Sequence, residues 1–332
     1  MNLPDPAQPL DSLRAGEAFD RILAGAVDED DIAAFLVGLA DRGETPEEIA
    51  AAANALRSRM IGITAPEGAI DVVGTGGDGA HTLNISTAAA FIVAACGVPV
   101  AKHGNRAASS LSGASDVLSA LGWQGDLPYD RLELCIAETG IVFLHAARHH
   151  PAVAQVAGVR RKLGRRTIFN LLGPLANPAR VSRQMIGVYS PEWVQPMARA
   201  AATLGSTDAL VVHGSGLDEI AVHGPTMLAW MHGGTVHEAT LDAASHGLGG
   251  HPLEALRGGA PQDNADVLTA LFAGDRRTAQ LRAYAAIVVL NAAAALKLAG
   301  AAPGWRAAID LATDALASGA AKDRLARFID FR

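Results

Sequence analysis

The sequence predicts an α/β protein: a small N-terminal helical domain, then a larger α/β domain with a central, mostly parallel mixed sheet flanked by helices. Three observations predict it. Residues 12–60 carry apolar side chains at helical spacing and show no strand signal. From residue 70 onward, short apolar runs alternate with helical stretches, the pattern of a parallel sheet. The first of those runs empties into a loop with four glycines, Gly74, Gly76, Gly77 and Gly79, and parallel sheets bind ligands at the carboxyl ends of their strands. The expected division is residues 1–68 for the helical domain, joined by helices from about 151–180, and residues 69–332 for the α/β domain.

In the helical part, Phe19, Ile22, Leu23 and Val27 form one apolar stripe, and Ile32, Phe35, Leu36 and Leu39 form a second. Gly43 ends the second helix. Thr45-Pro46-Glu47-Glu48 is a capping box with proline at the first helical position, and Ile49, Ala53, Leu56 and Met60 extend the helix it starts. These stripes need a partner, either the main domain or a second subunit. Strands are expected at Ile70–Val73, Val98–Ala101, Ile141–Leu144, Met185–Tyr189 and Ala209–His213. Helices are expected after Asn84, around Val117–Leu121, over Asp130–Thr139, over 151–163 and over Pro191–Leu204. Thr167–Arg180 reads as a connector broken by Pro and Gly. A hairpin signal at Gly233-Gly234 implies an antiparallel edge, and the chain from about residue 252 is mainly helical.

Composition narrows the function. Half of the 332 residues are hydrophobic and 18% are charged, as in a compact enzyme. The formal net charge of −7 argues against a broad basic face, so no nucleic-acid partner is expected. Cys96 and Cys135 lie in apolar helical stretches and form neither a disulfide framework nor a metal-ligand cluster. Residues 283–300 are the most apolar segment, yet Asn291 and Lys297 interrupt them and the run falls short of the roughly 20 apolar residues a span requires. A core helix is expected there, not a membrane contact. The start MNLPDPAQPL lacks a basic-then-apolar leader, and cytoplasmic residence is expected.

The glycine loop, Gly74-Thr75-Gly76-Gly77-Asp78-Gly79, formally matches a dinucleotide fingerprint. Two features oppose that reading. A polar link, Ala80 to Asn84, delays the helix, and the second strand leads into Lys102-His103, not into the acidic residue a ribose needs. Asp78 would repel a bare pyrophosphate but suits one accompanied by a divalent cation. A glycine turn without a ligand leaves unexplained why Ser86, Thr87, Lys102, Asn105, Arg106, Ser109 and Ser110 gather after two successive strands, each with donors for phosphate or ribose oxygens. A phosphate-rich ligand fits both turns.

GTGGD at 74–78, NIST at 84–87, KHGNRAASS at 102–110, LGPLANP at 172–178 and GLDE at 216–219 resemble the anthranilate phosphoribosyltransferase family, in order along nearly the whole chain. The resemblance implies transfer of the phosphoribosyl group of 5-phosphoribosyl 1-pyrophosphate to the amine of anthranilate, with Mg2+ required, and a homodimer formed through the helical domain. It implies that Gly74, Gly77, Asp78, Thr82, Asn84, Ile85, Ser86 and Thr87 hold the donor. Lys102, His103, Gly104, Asn105, Arg106, Ala107, Ala108, Ser109, Ser110 and Ala114 are implied to do the same. Ser86, Asp218 and Glu219 are the implied magnesium ligands; read alone, the acidic pair is a solvated turn. Gly74, Asn105, His150, Arg160 and Pro174 are implied to contact anthranilate, with His103 as a possible proton acceptor. Arg161, Lys162, Arg165 and Arg166 read as a charged helix surface. The chain departs from the family's pattern at His145-Ala146-Ala147, at Ala152-Val153-Ala154, at Leu111 and at Gly158, which concerns the acceptor pocket. A pyrimidine-nucleoside phosphorylase and a non-catalytic nucleic-acid-binding relative share the architecture. Arg160 with the LGPLANP run opposes the first, and the acidic charge opposes the second.

Overall fold

Three helices open the chain as their spacing predicts: α1 (Ser12–Leu23), α2 (Glu29–Arg42) and α3 (Pro46–Arg57). The structure, a computed structural model, describes residues 3–105, 111–125 and 127–332. At the start of α3, Glu48 N donates to Thr45 Oγ1 at 3.2 Å and Thr45 N donates to Glu48 Oε2 at 2.8 Å, so the capping box satisfies two otherwise orphaned donors. The other carboxylate oxygen of Glu48, fully buried, accepts from Leu10 N and from Arg42. One side chain thus caps a helix and ties down the chain before it.

The larger domain runs β1 (Ile70–Gly74), α4 (Ile85–Ala95), β2 (Val100–Gly104), α5 (Ala114–Ala120), α6 (Tyr129–Thr139), β3 (Ile141–His145), α7 (Ala146–His149) and α8 (Ala154–Leu163). It continues with α9 (Phe169–Leu175), β4 (Arg183–Gly187), α10 (Val194–Thr203), β5 (Asp208–Gly214), β6 (Thr226–His232) and β7 (Thr235–Leu241). Four helices, α11 (Pro261–Phe272), α12 (Ala279–Leu298), α13 (Trp305–Ala317) and α14 (Ala320–Asp330), complete it. The strands form one sheet in the order β3-β2-β1-β4-β5-β6-β7, parallel through β5 and antiparallel at β6 and β7. Gly233 and Gly234 turn the final hairpin at φ 54° and 83°, both in the left-handed region that a two-residue I′ turn demands.

Alternation along the strands builds two cores. Ile70, Val72, Met185, Leu210 and Val212 face α4 and the C-terminal helices, whereas Val73, Ile186, Ala209 and Val211 face α10 and the helical domain. Phe19 joins Phe35 (5.8 Å between ring centroids) and Phe169 (6.1 Å), so α1, α2 and α9 share one aromatic cluster with that second face. By length and apolar composition α12 could cross a membrane, but 83% of its most apolar window is buried within the fold. Cys96 is half-buried, Cys135 is buried, and both are free thiols.

Two expectations need correction. The second strand starts later and runs through Lys102-His103-Gly104, which pair with Phe143, Leu144 and His145 of β3; these residues are strand, not the loop after it. The connector Thr167–Arg180 contains a helix, α9, despite Pro174. The last carbonyls of a short helix have few backbone partners, and here side chains from three elements reach three successive ones, the first of which also accepts from Ala176 N. Gly173 O lies 3.0 Å from His103 Nδ1, Pro174 O accepts from Gln184 Nε2 at 2.7 Å, and Leu175 O accepts from Arg57 Nε at 2.6 Å. Tertiary partners stabilise what local propensity does not.

Candidate active site

The site begins with strands that end in glycine. Gly74, Gly187 and Gly214 close the adjacent strands β1, β4 and β5. A Cβ on Gly74 would stand 2.2 Å from Asp218 Oδ2, one on Gly187 1.6 Å from Asp218 O, and one on Gly214 2.3 Å from Glu219 O. The missing side chains therefore let the turn bearing Asp218 and Glu219 lie directly on the strand tips. Gly76 N donates to Asp218 Oδ2 at 2.7 Å, and Ser86 N, in the first turn of α4, donates to Glu219 Oε1 at 3.0 Å. Asp218 N reaches Asp78 Oδ2 at 3.4 Å. Lys102 Nζ, buried, donates to Val72 O at 2.6 Å and to Ser86 Oγ at 3.1 Å.

Desolvation, then repulsion from Asp78, pushes Asp218 up to about 7. Desolvation and then repulsion from Asp218 push Glu219 up to about 8. Burial lowers Lys102, and the charges of Asp71, Glu219 and Asp218 oppose that shift. The acids are thus crowded and short of counter-charge. Their donor set, three carboxylates and the Ser86 hydroxyl, is all hard oxygen, which suits magnesium. Among the described residues no three His, Cys, Asp or Glu side chains close around a single metal position. A cation held here would complete its shell with substrate oxygens, and on that condition the residues fit one.

Above the acidic turn lies a cavity of about 210 Å3. Of the residues expected to hold the donor, Gly74, Asp78, Thr82, Asn84, Ile85, Ser86, Thr87, Lys102, His103, Gly104, Asn105 and Ala114 line it, together with Asp218 and Glu219. Gly77 does not. Arg106, Ala107, Ala108, Ser109 and Ser110 lie outside the described residues. Asn84 is held on three sides: its Nδ2 donates to Ser112 O at 3.3 Å, its Oδ1 accepts from Asn264 at 2.9 Å and its carbonyl accepts from Tyr284 Oη at 3.1 Å.

A second cavity, of about 520 Å3, opens between α8 and α9 and meets the first at Val73, Gly74, His103, Gly104 and Asn105. His150, Arg160 and Pro174 line it, as do Phe169 and Asn170. The Arg160 guanidinium stands 5.6 Å from the Phe169 ring centroid. His103 must donate from Nδ1 to the Gly173 carbonyl, which leaves Nε2 as a buried, unpaired acceptor. Its ring centroid is 5.1 Å from that of His150. Burial and then repulsion from His150 hold His103 down at about 3, and burial and then repulsion from His149 hold His150 at about 4, so both imidazoles are neutral near pH 7.

Sequence reasoning missed the shell beneath. Asp71, fully buried in β1, accepts from His103 N at 3.1 Å and from Asn177 Nδ2 at 2.7 Å, and it locks the residues after α9 to the sheet. Asn291 grips residue 220, next to the acidic turn: Ile220 N donates to its Oδ1 at 2.9 Å and its Nδ2 donates to Ile220 O at 3.0 Å. Both have a sequence signal, a lone polar residue inside an apolar run. The basic surface on and after α8 needs a correction. Lys162 and Arg165 pair with Glu29 and Asp41 on α2, but Arg166 reaches the glycine loop, donates to Gly77 O and lies 4.2 Å over the Tyr189 ring. Spacing cannot reveal a contact between segments that far apart in sequence.

Known proteins share this geometry. Residues 66–322 match the α/β domain of a glycosyl transferase family, and residues 7–60 match the helical bundle domain of such a family. The chain is similar to anthranilate phosphoribosyltransferase of Novosphingobium aromaticivorans, 50% identical over 96% of each protein. It superposes on the enzyme of that name from Thermus thermophilus at TM-score 0.92 with 42% identity, covering 98% of this chain and 96% of that one. The Saccharomyces cerevisiae enzyme in complex with PRPP and Mg gives TM-score 0.86 and 29% identity over 97% and 93%. Likeness at this level, spanning both domains, settles kinship: the chain belongs to the anthranilate phosphoribosyltransferase family.

Proposed function

We propose that this chain transfers the phosphoribosyl group of 5-phosphoribosyl 1-pyrophosphate to the amine of anthranilate, giving N-(5-phosphoribosyl)anthranilate and pyrophosphate in tryptophan biosynthesis. The supporting observation is the junction of two unlike cavities at Gly74, His103, Gly104 and Asn105. One is walled by strand tips, the glycine loop and carboxylates; the other is framed by helices, with an arginine. A two-substrate transfer needs such a junction, because holding reactants in line replaces a bimolecular encounter.

The amine nitrogen attacks C1 of the ribose as the C1–O bond breaks, and charge builds on the ribose and on the departing pyrophosphate. The residues expected to hold the donor position C1 over the tips of β1 and β2. Magnesium, held by Ser86, Asp218, Glu219 and phosphate oxygens, would supply charge to the leaving group. Arg160 pairs with the acceptor's carboxylate, for which a planar guanidinium is suited. An aromatic amine keeps its lone pair free at neutral pH, so a strong base is unnecessary. His103, held at about 3, is a weak base and orients the amine by accepting its N–H. We extend the proposal to a boundary near residue 68, to a homodimer through the helical domain, where Leu13 of α1 is 71% exposed, and to cytoplasmic residence.

The test mixes protein, magnesium, donor and anthranilate and follows anthranilate fluorescence. Donor-dependent loss is expected. A flat trace at high enzyme concentration rejects the proposal.

A further inference from the structure

We infer that the acceptor cavity takes ortho-aminoaryl carboxylates larger than a single ring, because the wall supplied by α7 and α8 is built largely of alanine. The inference rests on the function proposed above and concerns the breadth of that site. About 150 Å3 suffices to hold a benzene ring, and the cavity measures about 520 Å3. Ala154, Ala157 and Arg160 recur at every third position of α8 and share one face of it, and all three line the cavity, with Ala147 of α7 beside them. Ala147, Ala154 and Ala157 are exposed, so their methyl groups face open space and do not fill it. At 1.5 Å per residue, Ala154 stands roughly 9 Å along the helix from Arg160. A single ring held by its carboxylate at Arg160 leaves that end of the row unfilled.

The wall opposite the alanines is not merely apolar. His103 and His150 are 3% and 6% exposed and line the same cavity, and His103 Nε2 is a buried acceptor with no hydrogen-bond partner. Buried unpaired acceptors and donors are costly, and a ligand bearing an amine and a carboxylate on adjacent carbons would satisfy them. The polar contacts thus fix the ortho-amino acid while the alanines leave the rest of the ring system unrestricted. A fused second ring changes nothing in the transfer: the amine lone pair forms the N–C1 bond, the C1–O pair leaves with pyrophosphate, and the amine proton passes to solvent.

The experiment compares anthranilate with 3-amino-2-naphthoate, using the full chain with magnesium and donor and reading pyrophosphate release for both. The naphthoate is expected to react with kcat/KM within about tenfold of anthranilate, since a roomy apolar pocket discriminates weakly. Ala154→Phe, and separately Ala147→Phe, should lower the naphthoate-to-anthranilate ratio of kcat/KM by about tenfold or more. Because both positions are exposed, the added bulk enters the cavity and not the core. Naphthoate turnover more than a thousandfold below anthranilate, or variants that depress both substrates equally, would overturn the inference. Failure of anthranilate itself with the unaltered protein would overturn the underlying function instead.

Discussion

The two cavities are built by opposite means. On the donor side, main chain and carboxylates meet at strand tips where no extra carbon atom fits. On the acceptor side, helices supply alanines with space in front of them, and β2 and the residue after α7 supply two neutral imidazoles. Burial disfavours charge in both, raising the acids Asp218 and Glu219 and lowering the bases His103 and His150. The remedies differ. Under the proposed function, a cation with the donor's phosphates would relieve the first, and a ligand with hydrogen-bonding groups and an apolar body the second. Tight geometry is concentrated where charge moves, and tolerance where a ring is merely housed.

The largest effect should come from the acids. Asp218→Asn with Glu219→Gln is expected to lower kcat by about 10²- to 10³-fold, the scale for losing a positioned electrostatic group, and to flatten the magnesium titration. An unchanged titration would refute the metal assignment. Next, Arg160→Ala should raise the KM for anthranilate by about 10- to 100-fold, as for a lost charge-assisted hydrogen bond, with the donor KM nearly constant. Equal rises in both constants would break the separation of the two cavities.

The smallest effect is on stability. Asp218 and Glu219, raised to about 7 and 8, bind protons in the fold that the unfolded chain has already released, so stability without ligands falls as pH rises through 7 and 8. His103 and His150, lowered to about 3 and 4, give the opposite limb: the unfolded chain takes up protons first, and stability falls as pH drops below about 6.5. Asp71, raised to about 6, opposes that acid limb, as do Asp218 and Glu219 from about pH 4 upward. Between about pH 4.5 and 6.5 two imidazoles are offset by the three acids, and above 6.5 only Asp218 and Glu219 still titrate, so Tm without ligands should fall by about 2–4 °C between pH 6.5 and 8 with no maximum near pH 6. The acid-to-amide double variant, besides its loss of kcat, should remove the decline above pH 6.5 and leave the imidazoles opposed by Asp71 alone, so that the acid limb emerges. An alkaline limb that survives in it would count against the acidic cluster.

The donor side was the more legible in sequence for a physical reason. Its parts are consecutive: the glycine loop follows β1, Asn84–Thr87 open α4, and Lys102–Asn105 finish β2, and strand-then-glycine is a local pattern. The acceptor side draws on α3, β2, α7, α8 and α9, so periodicity gave the helices but not the cavity between them. Arg160 came from resemblance, not from spacing. The captured carbonyls of Gly173, Pro174 and Leu175 were invisible, because His103, Gln184 and Arg57 are remote in sequence, and α9 was therefore read as loop. Asp71 and Asn291 could have been found, since a buried polar residue in an apolar run demands a partner.

The glycine ends of β1, β4 and β5 have one more consequence. A turn seated on side chains inherits their rotamer motions and shifts whenever the core beneath is repacked. The Asp218-Glu219 turn is instead indexed to the main chain of three hydrogen-bonded strands, the least deformable reference in the molecule. Substitutions in the core facing the helical domain can accumulate without touching the turn, whereas Leu217, Ile220 and Asn291 tie it to the other core; changes of acceptor can be written into α7 and α8 without disturbing the leaving group. The chemistry is insulated from one core and answers to the other.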